Sequence, residues 1–327
     1  MNNTSSIPTE RPADDWAQRK VADLIANIES VFFGKYEVVN QCVTALLARG
    51  HLLIEDVPGI GKTTLAQGLA RSLDCSFTRI QFTSDMLPSD ILGVSILNAH
   101  TNNFEFREGP IFANIVLADE VNRTPPKTQS ALLEAMSEFH ISVDGRPRPL
   151  PQPFMVLATQ NPIEYEGTYS LPEAQLDRFI LRVEIGYPSA QDEMRIIRRR
   201  DSNGSIEAMK PVLTSADVLR LQDHASGIHV DESVAKYILA IVHGTRAHDH
   251  IQLGASPRGS LSFYEACQAR AMVEGRDFAT PGDVKAMAVP VLSHRILVKS
   301  RGGSPATSAI ERARIITDIV KSLPLPV

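Results

Sequence analysis

The chain has 327 residues, 43% of them hydrophobic and 22% charged, an ordinary globular composition with room for two domains or one large one. A formal charge of −5 and a pI near 6.0 exclude a general basic coat for nucleic acid, leaving at most a local basic groove. The cysteines, Cys42, Cys75 and Cys267, are scattered singly with no C-x-x-C, which fits a reducing compartment better than a disulfide framework.

The opening residues, "MNNTSSIPTERPADD", hold no apolar stretch of the secretory kind, and residues 1–14 read as a loose polar tail. No window approaches the roughly 18 consecutive apolar residues of a membrane-spanning helix. The expectation is a soluble cytoplasmic protein with no membrane insertion. A helix carrying Val21, Leu24, Ile25 and Ile28 follows, then a second with Val38, Val39, Cys42, Leu46 and Leu47. "HLLIE" reads as a short buried strand stopped by Pro58 and Gly59. "TTLAQGLARSL" is helical, with Leu65, Leu69 and Leu73 on one face.

"FTRIQF", "NIVLADE", "FMVLATQ" and "FILRVEIGY" supply four more strands, and "PPKTQSALLEAMSEF" a helix with Leu132, Leu133 and Met136 on one face. Strands alternating with helices predict an α/β domain with a mainly parallel five-stranded sheet. Two stretches interrupt it as hairpins: "GVSILNAHTNNFEFREG", and "FHISVDGRPRPLPQPF", which turns at Asp144-Gly145. After Pro188 the pattern is helical only. One helix is capped by Thr214 or Ser215 with Asp217 in its first turn; another starts behind Asp231 and stops near Gly244. A third has Thr280 as cap and Pro281 at its first position. This predicts a small all-helical second domain over about 188–327.

The run Pro58-Gly59-Ile60-Gly61-Lys62-Thr63-Thr64 joins a strand to a helix and suits a triphosphate. Glycines let backbone N–H groups converge on an anion, and the helix start adds its positive end. Lys62 would reach the β- and γ-phosphates of ATP, and the Thr63 hydroxyl would ligate Mg²⁺. The strict phosphate-loop pattern has glycine where this chain has Asp56. At the strand exit, three residues before Gly59, that carboxylate can turn to backbone donors instead of phosphate. "NIVLADE" ends in Asp119, placed for Mg²⁺, and Glu120, placed to polarise the attacking water. In "LATQNP", Asn161 can orient that water. Arg178 and Arg258 are candidates to neutralise charge developing on the γ-phosphate.

Loop, acid pair, asparagine and two arginines in this order resemble the AAA+ ATPases, and among them the MoxR group. The matching text is dense: "LIEDVPGIGKTTLA", "FTSDMLPSDILG", "FEFREGPIFANIVLADEVNR", "ALLEAMSE", "ATQNPIEYEGTYSLPEAQLDRF" and "GASPRG". MoxR relatives commonly carry an acid at the position of Asp56. The resemblance covers about residue 20 to the C-terminus. It implies an αβα P-loop AAA+ core over 15–187, with a helix-2 insert and a pre-sensor-1 hairpin, and a helical lid over 188–327. It makes Asn161 sensor 1, Arg178 a finger reaching a neighbour's nucleotide, Arg258 sensor 2, and Gly34 part of the adenine pocket. It further implies a ring, usually a hexamer, that remodels or matures a protein client, often with a von Willebrand factor A (VWA) domain partner and in some cases by metal-cofactor insertion. The rivals are a nucleic-acid motor of the helix-2-insert group and a nucleotide-gated adaptor that acts by binding alone.

Three signals stay outside this set. His243, His248, Asp249 and His250 have a metal-like spacing, but histidines at a helix exit are more often solvated. Arg195, Arg198, Arg199 and Arg200 read as a solvated helix face or a subunit contact. Arg123 is left without a role.

Overall fold

A computed structural model describes residues 15–161, 168–199, 206–299 and 305–326; the 1–14 tail and Arg200 lie outside the described residues. Helices α1 (Asp15–Glu29) and α2 (Tyr36–Leu47) precede β1 (Leu52–Glu55), α3 (Lys62–Ser72), β2 (Phe77–Gln81) and the short α4 (Pro88–Leu92). The hairpin β3 (Gly93–Asn98) and β4 (Asn103–Glu108) follows, then β5 (Ile115–Asp119) and α5 (Pro126–Glu138). A second hairpin, β6 (His140–Val143) and β7 (Arg146–Pro149), leads to β8 (Met155–Gln160), α6 (Glu173–Leu176), β9 (Leu181–Val183) and α7 (Ala190–Arg199).

The main sheet has the order β2-β5-β8-β1-β9, and every pairing in it is parallel. Its central strands are continuous apolar runs because both faces are covered. Leu52, Ile54, Leu117 and Leu157 pack on one side with residues of α1, α2 and α3. Leu53, Val116, Ala118, Val156 and Ala158 pack on the other with Leu132, Leu133 and Met136 of α5. The two hairpins touch: the Ser95 hydroxyl donates to Asp144 at 2.5 Å, and the Arg148 guanidinium lies 3.8 Å from the Phe106 ring centre.

The remaining elements are α8 (Ser215–Ser226), α9 (Glu232–Ala247), β10 (Ile251–Leu253), α10 (Pro257–Val273), α11 (Pro281–Leu292), β11 (Leu297–Val298) and α12 (Pro305–Ser322). Thr214 with Asp217 and Thr280 with Asp283 form capping boxes, and the Asp231 carboxylate accepts from Ser233 N–H. Two features depart from the pattern read in the sequence. Among the described residues this region adds to its helices an antiparallel β10–β11 ladder, whose strands of three and two residues are too short to show a period, and a single bridge between His229 and Phe278. Helix α9 runs through Gly244 to Ala247 instead of stopping there. Gly244 is a close-approach site: a Cβ there would fall 2.7 Å from Ile319 of α12.

One buried cation joins the helical part to the sheet. The Arg295 side chain, 1% exposed, donates from Nε to Asp177 Oδ1 at 2.8 Å. Its terminal nitrogens donate to the carbonyls of Phe179 at 2.7 Å and Ile180 at 3.0 Å. Burial pulls this guanidinium down to about 10, with Asp177 opposing, so it stays charged at neutral pH. His294 beside it donates to the Phe179 carbonyl at 2.8 Å.

His51 is the other buried imidazole. Its Nε2–H donates to Met136 O at 2.9 Å and its Nδ1 accepts from Val156 N–H at 3.0 Å, so the neutral ring is fully satisfied. Burial lowers its pKa to about 4, and lowers that of His294 well below the usual imidazole value, helped by Arg295. The unfolded chain therefore takes up protons first as pH falls below about 6.5. Stability is complete above that pH and is lost as pH falls towards 4. By about pH 5 the loss from His51 alone is about 2 kcal/mol. Urea midpoints at neutral pH and near pH 5 will show this dependence, and His51→Gln will flatten it; an undiminished slope in that variant removes the assignment.

Candidate functional site

The loop after β1 is built around Asp56. Its Oδ1 accepts from Val57 N–H at 2.8 Å; its Oδ2 accepts from the N–H groups of Ile185 at 2.8 Å and Gly186 at 2.6 Å, just beyond β9. The carboxylate is thus committed to backbone donors. The Lys62 ammonium donates to the Asp56 carbonyl. Gly59 and Gly61 adopt φ of +84° and +96°, and α3 begins directly at Lys62. The first bond of that helix runs from Leu65 N–H to Gly61 O, so Lys62, Thr63 and Thr64 present N–H groups to the loop's concave side. Pro58 and Gly59 are exposed at the tip, and Ile60 packs back onto the core.

Asp119 and Asn161 follow neighbouring strands at the same carboxyl-terminal edge of the sheet, the edge where open parallel sheets bind ligands. Asp119 accepts the Thr159 hydroxyl at 2.5 Å on Oδ1 and pairs with Arg79 at 2.6 Å on Oδ2. Glu120 sits at φ +60°, ψ +48°, a left-handed conformation that costs on the order of 1–3 kcal/mol. Its N–H donates to Thr159 Oγ1 at 2.9 Å. Its carboxylate accepts from Gln81 at 2.8 Å and Arg123 at 3.1 Å. Asn161 is buried, and its carbonyl faces the Asn122 amide at 3.5 Å.

Sequence reasoning missed Arg79 and Gln81. Their signal is two polar residues at i, i+2 on strand β2, which aligns Gln81 opposite Asp119. Gly34 adopts φ +69°, and a Cβ there would fall 2.0 Å from Asp192 Oδ2 of α7. Lys35 Nζ donates to Tyr187 O at 2.8 Å, so this segment adjoins the stretch that Asp56 also holds. Phe32 lies against the loop, 3.2 Å from the Cβ position of Gly61.

Arg178 and Arg258 are brought together, but not to this loop. Both line a cleft of about 210 Å³ with Arg49, Gly50, His51 and Ser262. His51 precedes β1 and the loop follows it, so the cleft lies at the opposite edge of the sheet. Four residues of strand alone separate the two edges by roughly 13 Å. Arg178 donates to the Leu133 carbonyl of α5. Among the described residues no group of three His, Cys, Asp or Glu side chains could hold a metal; His248 and His250 lie with ring centres 5.6 Å apart.

Two family models match parts of this chain. Residues 51–181 match the family described as "ATPase family associated with various cellular activities (AAA)", and residues 243–319 match "AAA lid domain". The chain is 46% identical over 303 residues to the protein YeaC of Bacillus subtilis, spanning 93% of this chain and 94% of YeaC. It is 41% identical over 283 residues to chaperone MoxR1 of Mycobacterium tuberculosis, spanning 84% of this chain and 74% of MoxR1. A crystal structure of a putative ATPase from Cytophaga hutchinsonii superposes with a TM-score of 0.85 at 36% identity, covering 95% of this chain and 96% of that one.

The Asp56 contacts make a direct prediction. Asp56→Gly removes an acceptor from three backbone N–H groups, so it will cost about 1–3 kcal/mol of stability. ATP affinity, measured by calorimetry, will change less than about tenfold; a gain of several orders of magnitude would place this carboxylate against the phosphates instead.

Proposed function

The chain belongs to the MoxR family of AAA+ ATPases, and from that premise we propose that it hydrolyses ATP in a ring whose subunits complete one another's sites, and uses the cycle to remodel a protein client. The backbone N–H groups of Gly59 to Thr64 surround the phosphates, and Lys62 exchanges the Asp56 carbonyl for the β- and γ-oxygens. The Thr63 hydroxyl and Asp119 carboxylate are hard oxygen donors that fit Mg²⁺. When bound with ATP, that ion neutralises charge on the phosphate oxygens. Glu120 accepts the proton of the attacking water once it leaves Gln81 and Arg123, and Asn161 orients that water. Gly34 lies on the adenine side of the loop.

One observation carries the ring. Arg178 and Arg258 share a cleft at the sheet edge remote from their own loop, where a neighbouring subunit's γ-phosphate can meet both. A hexamer is the arrangement common in this family. Remodelling follows from kinship with a protein named a chaperone, and a VWA-domain partner and metal-cofactor insertion follow from the MoxR resemblance. Three unpaired cysteines fit a cytoplasmic setting.

The hairpins give a nucleic-acid motor little support. Hairpin β3–β4 carries one arginine, Arg107, against Glu105 and Glu108, and Arg148 of the second hairpin lies against Phe106. Among the described residues no helix is long and apolar enough to cross a membrane.

Glu120→Gln will keep ATP binding and lower turnover by about 10²–10⁴-fold. Comparable turnover in both proteins removes the base assignment. Loaded with ATP and recovered from lysate of its own organism, this variant will retain a VWA-domain protein that wild type with ADP does not. Retention of nuclease-sensitive DNA or RNA would move the assignment to a motor. Mixing Arg178→Ala with Lys62→Ala chains will yield more turnover than either alone, since each supplies what the other lacks; no recovery would end the shared-site reading.

A further inference from the structure

Asp177 lines the same cleft as the two arginines and is bonded to both Ser256 and Arg295. It directly precedes Arg178 in the chain. Its Oδ2 accepts the Ser256 hydroxyl at 2.9 Å, and Ser256 Oγ in turn accepts from Gly259 N–H at 3.1 Å as the N-cap of α10. Arg258 stands in the first turn of that helix, two residues beyond the cap. The other carboxylate oxygen of Asp177 is held by the buried Arg295 at 2.8 Å, and Arg295 also binds the carbonyls of Phe179 and Ile180. The 177–180 segment therefore cannot rotate without breaking Arg295's bonds. The start of α10 cannot slide away without breaking Ser256 from Asp177.

We infer that Asp177 and Ser256 are positioning residues that fix Arg178 and Arg258 at one spacing, so that the pair engages a neighbour's triphosphate as a unit. This rests on the shared-site reading above. Neither side chain need touch the nucleotide. The link also ties the helical domain to the core at the point where the two arginines meet. A nucleotide drawing on both arginines would therefore be felt by both domains together.

Asp177→Ala would strand a buried guanidinium and endanger folding, so the test falls on Ser256. Ser256→Ala removes the bridge and leaves Asp177 on Arg295; Ser256→Thr keeps a hydroxyl in the same place. Steady-state ATPase of the full chain, with circular-dichroism melts as the fold control, reads the outcome. Ser256→Ala will lower kcat about tenfold with KM for ATP within about twofold of wild type, and Ser256→Thr will restore at least half of kcat. Mixed with Lys62→Ala chains, whose arginines and Ser256 are intact, Ser256→Ala will regain turnover as Arg178→Ala does. Wild-type kcat in Ser256→Ala overturns the inference while leaving the shared site standing. So does a loss that appears in KM, that threonine does not rescue, or that Lys62→Ala chains do not relieve while relieving Arg178→Ala. Failure of Arg178→Ala itself to recover in that mixture removes the shared site, and the inference with it.

Discussion

A guanidinium almost wholly shut away from water ties the helical part of this molecule to its sheet. Arg295 enters from the end of α11 and takes the Asp177 carboxylate together with the carbonyls of Phe179 and Ile180. A charge in that position is tolerable only with its counter-charge and hydrogen bonds in place; removing one partner of such a pair costs about 3–5 kcal/mol. The bonds of Arg295 therefore hold it in one place against the 177–180 segment. Asp177 also accepts the Ser256 hydroxyl at the cap of α10, the helix that carries Arg258.

The two ends of the sheet thus have different characters. At the carboxyl-terminal edge, β1, β5 and β8 deliver the glycine-rich 58–64 loop, the Asp119–Glu120 pair and Asn161 side by side. The fixed register of a parallel sheet makes their spacing reproducible. At the amino-terminal edge two arginines face outward into a cleft lined by His51, which the core keeps neutral. The glycine-rich loop and the acid pair thus stand at one edge of the sheet, and Arg178 and Arg258 at the other.

The loop also shows how an apparent violation of a motif is absorbed. Asp56 would oppose a triphosphate if its carboxylate faced the loop's cradle. Instead it takes three N–H groups, two of them from residues just after β9, and so ties the loop to the sheet's last strand. Gln81 and Arg123 likewise hold Glu120 while Thr159 braces its strained backbone.

The loop, the Asp119–Glu120 pair, the five strands, both hairpins and most helix starts were legible in the sequence. Each is written in contiguous residues, where period, capping and glycine placement act over a turn or two. Tertiary structure alone decided what lies beside what. Ile185 is 129 positions from Asp56, and Arg295 is 118 from Asp177. Arg79 and Gln81 meet the acid pair only because β2 is the neighbour of β5. The two-stranded ladder and the close approach at Gly244 left no local mark either. Nor did the edge of the sheet at which Arg258 stands, because a side chain's reach depends on how distant elements pack, and no local period records that.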